Sequence, residues 1–463
     1  MKMKKSVSDL NTMLLLAVFF FLIFVSCNRQ THSEYDQESP LFAISYDTGF
    51  SHADDTWNSL STASDGKIYY SFSTVDVDQG AQLHVFDPVS EQIDFLVDFT
   101  EFTSGDGLST IPQGKSHGNF YEWKGKLYIT THVGVHGSVE DGELAITREG
   151  YDPYPGGHII SYDLSSGEFE HLATAPNKEG ILTVTMDTDR GHIYGITWPF
   201  GHFIHYDVDA GELKDLGLIS GRGEAGTPGD DFRVLGRSMF VDPDDGSVYF
   251  STADGDIYSY SPYSGSIEWV EGVDLRLDYF GAQVVDRPGS MAYGWRQIVW
   301  NPVEEAAYGI HGKTGYLFRF DPREPSLEIV ERITSEPSKR SGMFDAHYYG
   351  YLGFDLGPDN ETIYYLTGGP IYVDGVRLTR NNNEELGYHR KVEENLHLIT
   401  YHIPTGEYRD HGPVYHQNGS VIIAAQAIAI APEDGSIYTL GRFDRNNDME
   451  MDLVRIPNPF VNR

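Results

Sequence analysis

Cysteine is all but missing: Cys27 is the only one in 463 residues. A lone cysteine admits no disulfide within the chain, so cross-links do not hold this fold together. Basic residues are scarce, 33 Lys and Arg against 69 Asp and Glu, for a formal charge of −36. That balance makes duplex nucleic acid and anionic membrane poor partners. No long apolar period of 3.6 residues occurs, which argues against helices, and no linker interrupts the body. What the chain has instead is 13% aromatic residues, 30 of them tyrosine, and 49 glycines. This composition favours strands and tight turns.

The first residues read as a targeting segment. MKMKKSVSDLNT carries positive charge, and MLLLAVFFFLIFV is an apolar run too short to span a bilayer comfortably. The run ends in FVSC at Cys27. It resembles a bacterial lipoprotein signal, in which the cysteine becomes the lipidated first residue of the mature chain. The alternative is an ordinary signal peptide. Lipidation would leave no thiolate for chemistry. The expected organisation is a signal over 1–26, a polar tether over 27–39 (from Cys27 to Ser39) and a folded body over 40–463. The resemblance implies a protein anchored by lipid outside the cytoplasm, at the outer membrane or cell surface.

The body repeats one unit. SDGKIYYSFS with LHVFDPVSEQIDFLV, WKGKLYITTH with HIISYDLSSGEFEHLA, and DRGHIYGITW with HFIHYDVDAGELKDLG are its first copies. DDGSVYFSTA, EEAAYGIHG, NETIYYLTGG and EDGSIYTLGR open four more. Each copy is a hairpin, a strand ending in Tyr-Asp or Phe-Asp, a turn and a fourth strand. The spacing predicts an all-β chain, a seven-bladed β-propeller, with LFAISYD closing the ring against the last blade. A β-helix or a pair of sandwiches fits the regular Tyr-Asp-turn-Gly signature less well.

In such a ring the first strand of each blade lines the axis. The strand starts are Asn58, His117, Leu182, Arg237, Arg296, Leu352 and Gln426. Their hairpin partners are Ser73, His132, Thr197 or Trp198, Thr252, His311, Gly368 and Arg442. In the stretch GKSHGNFYEWKGKLYITTH, folding about Lys124 and Gly125 sets His117 opposite His132. Three histidines and three arginines thus converge on one pole of a very acidic protein. A hydrated channel would also be polar, so any one of these residues is as well read as solvent lining. The long insertions at 133–156 and 369–395 should rise on the same face and wall a groove. Trp198 and Tyr293 would offer flat surfaces for stacking.

Three chemistries suit the cluster. Arginine can neutralise a uronate carboxylate while histidine or tyrosine takes the α-proton, giving β-elimination. His117, His132 and His311 could ligate a divalent metal ion. Glycoside hydrolysis lacks its pair of carboxylates in the ring. The signal and the propeller pattern together resemble the propeller-type polysaccharide lyases of glycan-degrading bacteria, by architecture and residue types only. The resemblance implies an anionic polysaccharide as substrate and the membrane as a partner only through the lipid. On that reading His117, Arg237, Arg296 and Tyr293 are catalytic. Asn58, His132, Trp198, His311, Gln426 and Arg442 bind substrate. A non-catalytic glycan-binding or scaffolding lipoprotein and a metal-dependent hydrolase or lactonase are the rivals. DRNNDMEMD at 444–452 spaces oxygen ligands as calcium loops do, without their glycine. GRGEAGTPGDD at 221–231 precedes no helix and reads as a turn-rich connection rather than a phosphate loop.

Overall fold

The computed structural model describes residues 40–54, 56–104, 109–134, 138–140, 143–145, 149–277, 280–288, 291–312, 314–336, 339, 353–368, 372–373, 376–377, 396–420, 422–445 and 448–460. The apolar run, Cys27 and the tether lie outside these residues, as do Leu352 and most of the insertion at 369–395. No described helix is long and apolar enough to cross a membrane.

Strands dominate, and they form antiparallel meanders. The first sheet runs Leu60–Thr62, Ile68–Phe72, Gln82–Asp87, Gln92–Asp98. The second runs Tyr121–Trp123, Lys126–Thr130, His158–Asp163, Phe169–Thr174. Three more of the same form follow, opening at Gly180, Phe240 and Gln297. The remaining main strands join in one nine-stranded sheet, where Leu41–Tyr46 bridges two meanders. Leu41 to Ala43 pair in parallel with Val414 to His416, and Ile44 to Tyr46 pair antiparallel with Arg455 to Leu453.

The repeated Tyr-Asp-turn-Gly has a local cause. In the second sheet the Asp163 carboxylate accepts from the backbone N–H of Ser165 and of Ser166, and the Gly167 N–H donates to the Asp163 carbonyl. Gly167 sits at φ +74, where a side chain would be strained. Asp207 with Ala210 and Gly211 repeats the device in the third sheet. Asp87 caps Val89 and Ser90 likewise. An aspartate that mimics a backbone turn lets each strand reverse sharply enough to stay in its own sheet.

Side chains alternate across each strand, and the buried faces meet between sheets. Phe86 of the first sheet packs on Tyr438 of the nine-stranded sheet, with ring centroids 5.9 Å apart. Tyr69 reaches Tyr162 of the second sheet at 5.9 Å, and Phe203 stacks on Phe250 between the third and fourth at 5.1 Å. Each large apolar cluster therefore straddles neighbouring sheets. The innermost strands also touch in turn: Gly180–Asp187 meets Phe240–Val241, which meets Gln297–Asn301, which meets Phe354–Leu356. Leu60–Thr62 meets Ala429–Ile430. Small sheets packed face to face about one axis, inner strand beside inner strand, make a propeller-type fold.

The described residues of the segment 444–452, read in the sequence for calcium-loop spacing, belong to a strand pair. They are the facing ends of two strands, Ile437–Arg445 and Asp448–Ile456, with Arg445 opposite Asp448.

Candidate functional site

The hairpin of the second sheet turns where the sequence places the turn. Lys124 and Gly125 take positive φ, 50 and 74, and Trp123 pairs with Lys126. Its open end departs from the extrapolated register. His132 bridges Lys115, two residues before His117. The cause is tertiary: the Gly118 carbonyl accepts from Ser59 N–H of the first sheet at 3.1 Å. A Cβ on Gly118 would sit 2.2 Å from Val184 Cγ1 of the third sheet, so only glycine permits that approach. The strand is drawn toward the axis, yet the imidazoles still meet, with His117 and His132 centroids 5.7 Å apart.

These two rings are the middle of a row. Trp57 stacks on His117 at 5.5 Å, and Trp198 lies 5.4 Å from His132. The row borders a cavity of about 350 Å³ that also takes in Lys115, Arg237, Arg296 and Glu224, with Met291 among its apolar lining. Lys115 holds its ammonium 4.3 Å from the Trp57 ring centre. The cavity thus combines flat indole faces with two guanidinium groups and an ammonium.

Electrostatics follow from that crowding. Burial pushes the His117 pKa well below the ordinary imidazole value, and His132, Arg237, Lys115 and Arg296 push it the same way. His117 is therefore neutral at physiological pH, and its Nδ1 has no hydrogen-bond partner among the described residues. Nδ1 of His132 lies 2.7 Å from the Val133 carbonyl, to which it donates. Glu224 ties two walls together: its carboxylate accepts from Arg237 at 2.6 Å, from the Trp198 indole at 2.9 Å and from Leu235 N–H at 3.2 Å.

The structure brings together His117, His132, Trp198, Arg237 and Arg296, and sends other expected residues elsewhere. His311 does not line the cavity. Its Nδ1 meets Thr314 Oγ1 and its Nε2 meets the Ala292 carbonyl, both at 2.9 Å, while Phe280 stacks on its ring at 4.3 Å. With both nitrogens engaged, His311 cannot complete a metal set with His117 and His132. No group of three or more His, Cys, Asp or Glu is placed to hold a metal ion among the described residues. Tyr293 lies outside the cavity, with its phenol oxygen accepting from Gln283 N–H at 3.2 Å. Gln426 and Arg442 are buried away from it; the Gln426 carbonyl accepts from Asn58 N–H, and Arg442 faces Asp54 at 3.9 Å. Asn58 instead spans the axis, accepting from Gln297 Nε2 at 3.0 Å.

Three contributors escaped the sequence reading: Lys115, Glu224 and Trp57, which immediately precedes Asn58. Lys115 stands in the same stretch as His117, and its alternation with that histidine was the available signal. Glu224 comes from the glycine-rich 221–231 connection, where a short 3-10 turn, Gly223–Ala225, carries it to the wall.

No family model matches the chain, and no curated protein matches it in sequence. Solved structures do resemble it in fold. One described as a mitotic checkpoint complex aligns over 91% of this chain and 93% of its own, at 10% identity and a TM-score of 0.50. The β-propeller domain of Cps50 (Swd1) from Myceliophteria thermophila covers 91% of this chain and 100% of its own, at 8% identity and TM-score 0.49. A 6-phosphogluconolactonase candidate from Bacteroides uniformis covers 82% and 95%, at 13% identity and TM-score 0.48. At such identities the likeness concerns fold alone.

Proposed function

We propose that the chain is a seven-bladed propeller, carried outside the cytoplasm on a lipid at Cys27, whose cationic axial cavity takes a uronic-acid saccharide and cleaves it by β-elimination. The count of seven treats the nine-stranded sheet as two blades that share Leu41–Tyr46. The observation that carries the functional reading is the convergence of Lys115, Arg237 and Arg296 on the Trp57–His117–His132–Trp198 row.

A carboxylated sugar meets both halves of that wall. Its ring lies against indole, and its carboxylate meets guanidinium. Arg237 shares its charge with Glu224, and Arg296 adds a second guanidinium to the same wall. As the C5–H bond breaks, negative charge spreads into the carboxylate, and Arg296 stabilises it where it grows. Neutral His117 accepts the proton. The C4–O bond breaks, the C4=C5 double bond forms, and the leaving oxygen takes a proton from the Lys115 ammonium. Tyr293, outside the cavity, has no part. One feature favours a binding-only alternative: His117 is just 7% exposed, packed between Trp57 and His132.

Purified protein would be incubated with ulvan, pectate, alginate and glycosaminoglycans while the ultraviolet absorbance of the unsaturated uronate is followed. On the substrate that responds, Arg296→Ala should lower the rate about 10²–10³-fold, as loss of one such donor does. Arg296→Lys should restore part, since an ammonium lacks the two-pronged fork. Binding without absorbance would leave the cavity a glycan-binding site. Neither on any polymer would remove the saccharide reading.

A further inference from the structure

The Asn58–Gln297 hydrogen bond crosses the axis, and a second chamber adjoins it on the side away from the indole row. This larger cavity, about 560 Å³, shares Asn58, Gln297, His117 and Arg237 with the region of that bond and of the cationic site. Its wall is otherwise of different character. Ser61, Thr62, Asn119, Thr185 and Asn360 supply hydroxyl and amide groups, and Tyr121 and Asp355 stand among them.

Its charges are the reverse of its neighbour's. Arg237 lines both spaces, but its guanidinium is spent on Glu224 and the Leu235 carbonyl, toward the first cavity. Asp187 is satisfied by Arg190 at 3.0 Å. Asp189 is exposed at the rim and forms no ion pair among the described residues. Asp355 is the anomaly. Among the described residues its carboxylate accepts the neighbouring Leu356 N–H, at 2.8 Å, and no Lys or Arg forms an ion pair with it. Burial holds that carboxyl up at about 7. Asp355 is partly exposed, so its carboxylate opens on the chamber and can accept from a cationic donor that enters it. Perturbed groups of this kind gather where ligands bind.

We propose that this second chamber is a binding site for a small ammonium ion, held by Asp355 and by the hydroxyl and amide groups around it. An ammonium brings the charge that Asp355 lacks and hydrogen-bond donors for the acceptors in the wall. A resident metal suits the wall less, because the described carboxylates do not form a cage of three. The axis would then carry sites of opposite charge back to back, one for an anion and one for a cation. The proposal stands apart from the elimination chemistry.

Of the other titratable groups that line the chamber, Asp187 is held by Arg190 and Asp189 stands exposed at the rim. His117 is neutral, and burial and the Asp355 charge keep the Tyr121 phenol protonated. Binding should therefore follow ionisation of Asp355, whose carboxyl is held up at about 7. The test is ligand-observed NMR or calorimetry on the full chain with propylammonium chloride, 1-propanol of the same size, and glucose. Propylammonium should bind and the two neutral probes should not. Its affinity should fall about tenfold from pH 8 to pH 6, as the carboxyl takes up its proton. Asp355→Asn should abolish binding, and Asp355→Glu should keep part of it. Thermal denaturation should show the Asn variant at least as stable as the parent, so that lost binding is not lost folding. Equal binding of glucose or propanol would overturn the proposal. So would binding that survives in Asp355→Asn, or no binding of propylammonium at all.

Discussion

His84 illustrates what burying a titratable ring costs. It is 3% exposed, stacks on Tyr70 at 5.6 Å, and its Nε2 has no partner among the described residues. Burial lowers its pKa to about 4. His158 and His205 are lowered to about 4 as well, each with a second histidine beside it. The sign is fixed by linkage. Below about 6.5 the unfolded chain gains a proton that the folded site refuses until about pH 4. Each such histidine therefore withdraws stability across that window as pH falls, by about 1.4 kcal/mol per pH unit. Replacing His84 with Phe keeps the stacking and removes the titration. His84→Phe should match the parent within about 1.5 kcal/mol at pH 8. At pH 5 it should be more stable by about 2 kcal/mol relative to that baseline, read by urea denaturation. An equal difference at both pH values would mean that His84 titrates as it does in water. Asp355 has the opposite sign. Its raised carboxyl withdraws stability as pH climbs from about 4 to about 7, so Asp355→Asn should gain on the parent over that range.

Among the elements, the strand Leu41–Tyr46 holds the largest leverage, because it is paired on both edges. Ile44 stands opposite Arg455 in its ladder, and the adjacent Ala43 is fully buried. Ile44→Pro removes a ladder donor inside the sheet, where proline is not accommodated. It should cost about 1–3 kcal/mol in chemical denaturation. No change would mean that the strand contributes little to closure. The hairpins show what the sequence could reveal. The Lys124–Gly125 turn was legible because turn chemistry is local, and so were the Asp-capped returns at Asp163 and Asp207. The slip that sets His132 against Lys115 was not, since it depends on Ser59 and Val184 of other sheets. For the same reason the repeat symmetry brings His117 and Arg296 to one cavity, while His311 is held by Phe280, Thr314 and Ala292. Symmetry predicts where a backbone goes, while each side chain answers to its own neighbours.

For the whole molecule, the charge of −36 makes the cationic cavity conspicuous. Arg296, Arg237 and Lys115 attract an anion that the rest of the surface repels, so association should quicken with added salt until the local attraction is itself screened. The proposed anchor also belongs to this scale. In a bacterial host, Cys27→Ala should move the protein from the membrane fraction to the soluble fraction. Unchanged partition would remove the lipid from the proposal and leave the fold untouched.

The bridging strand finally bears on how the protein is made. Synthesis delivers Leu41–Tyr46 first and its antiparallel partner, Leu453–Arg455, near the end. The early segment must stay unpaired while every intervening sheet emerges. Sheets built from nearby strands can assemble as they appear, but this seam waits for residues 453–455 and closes over every described sheet between. A ribosome stalled short of residue 453 would hold a molecule with most of its core and an open edge. That edge is where unfinished chains would pair with one another.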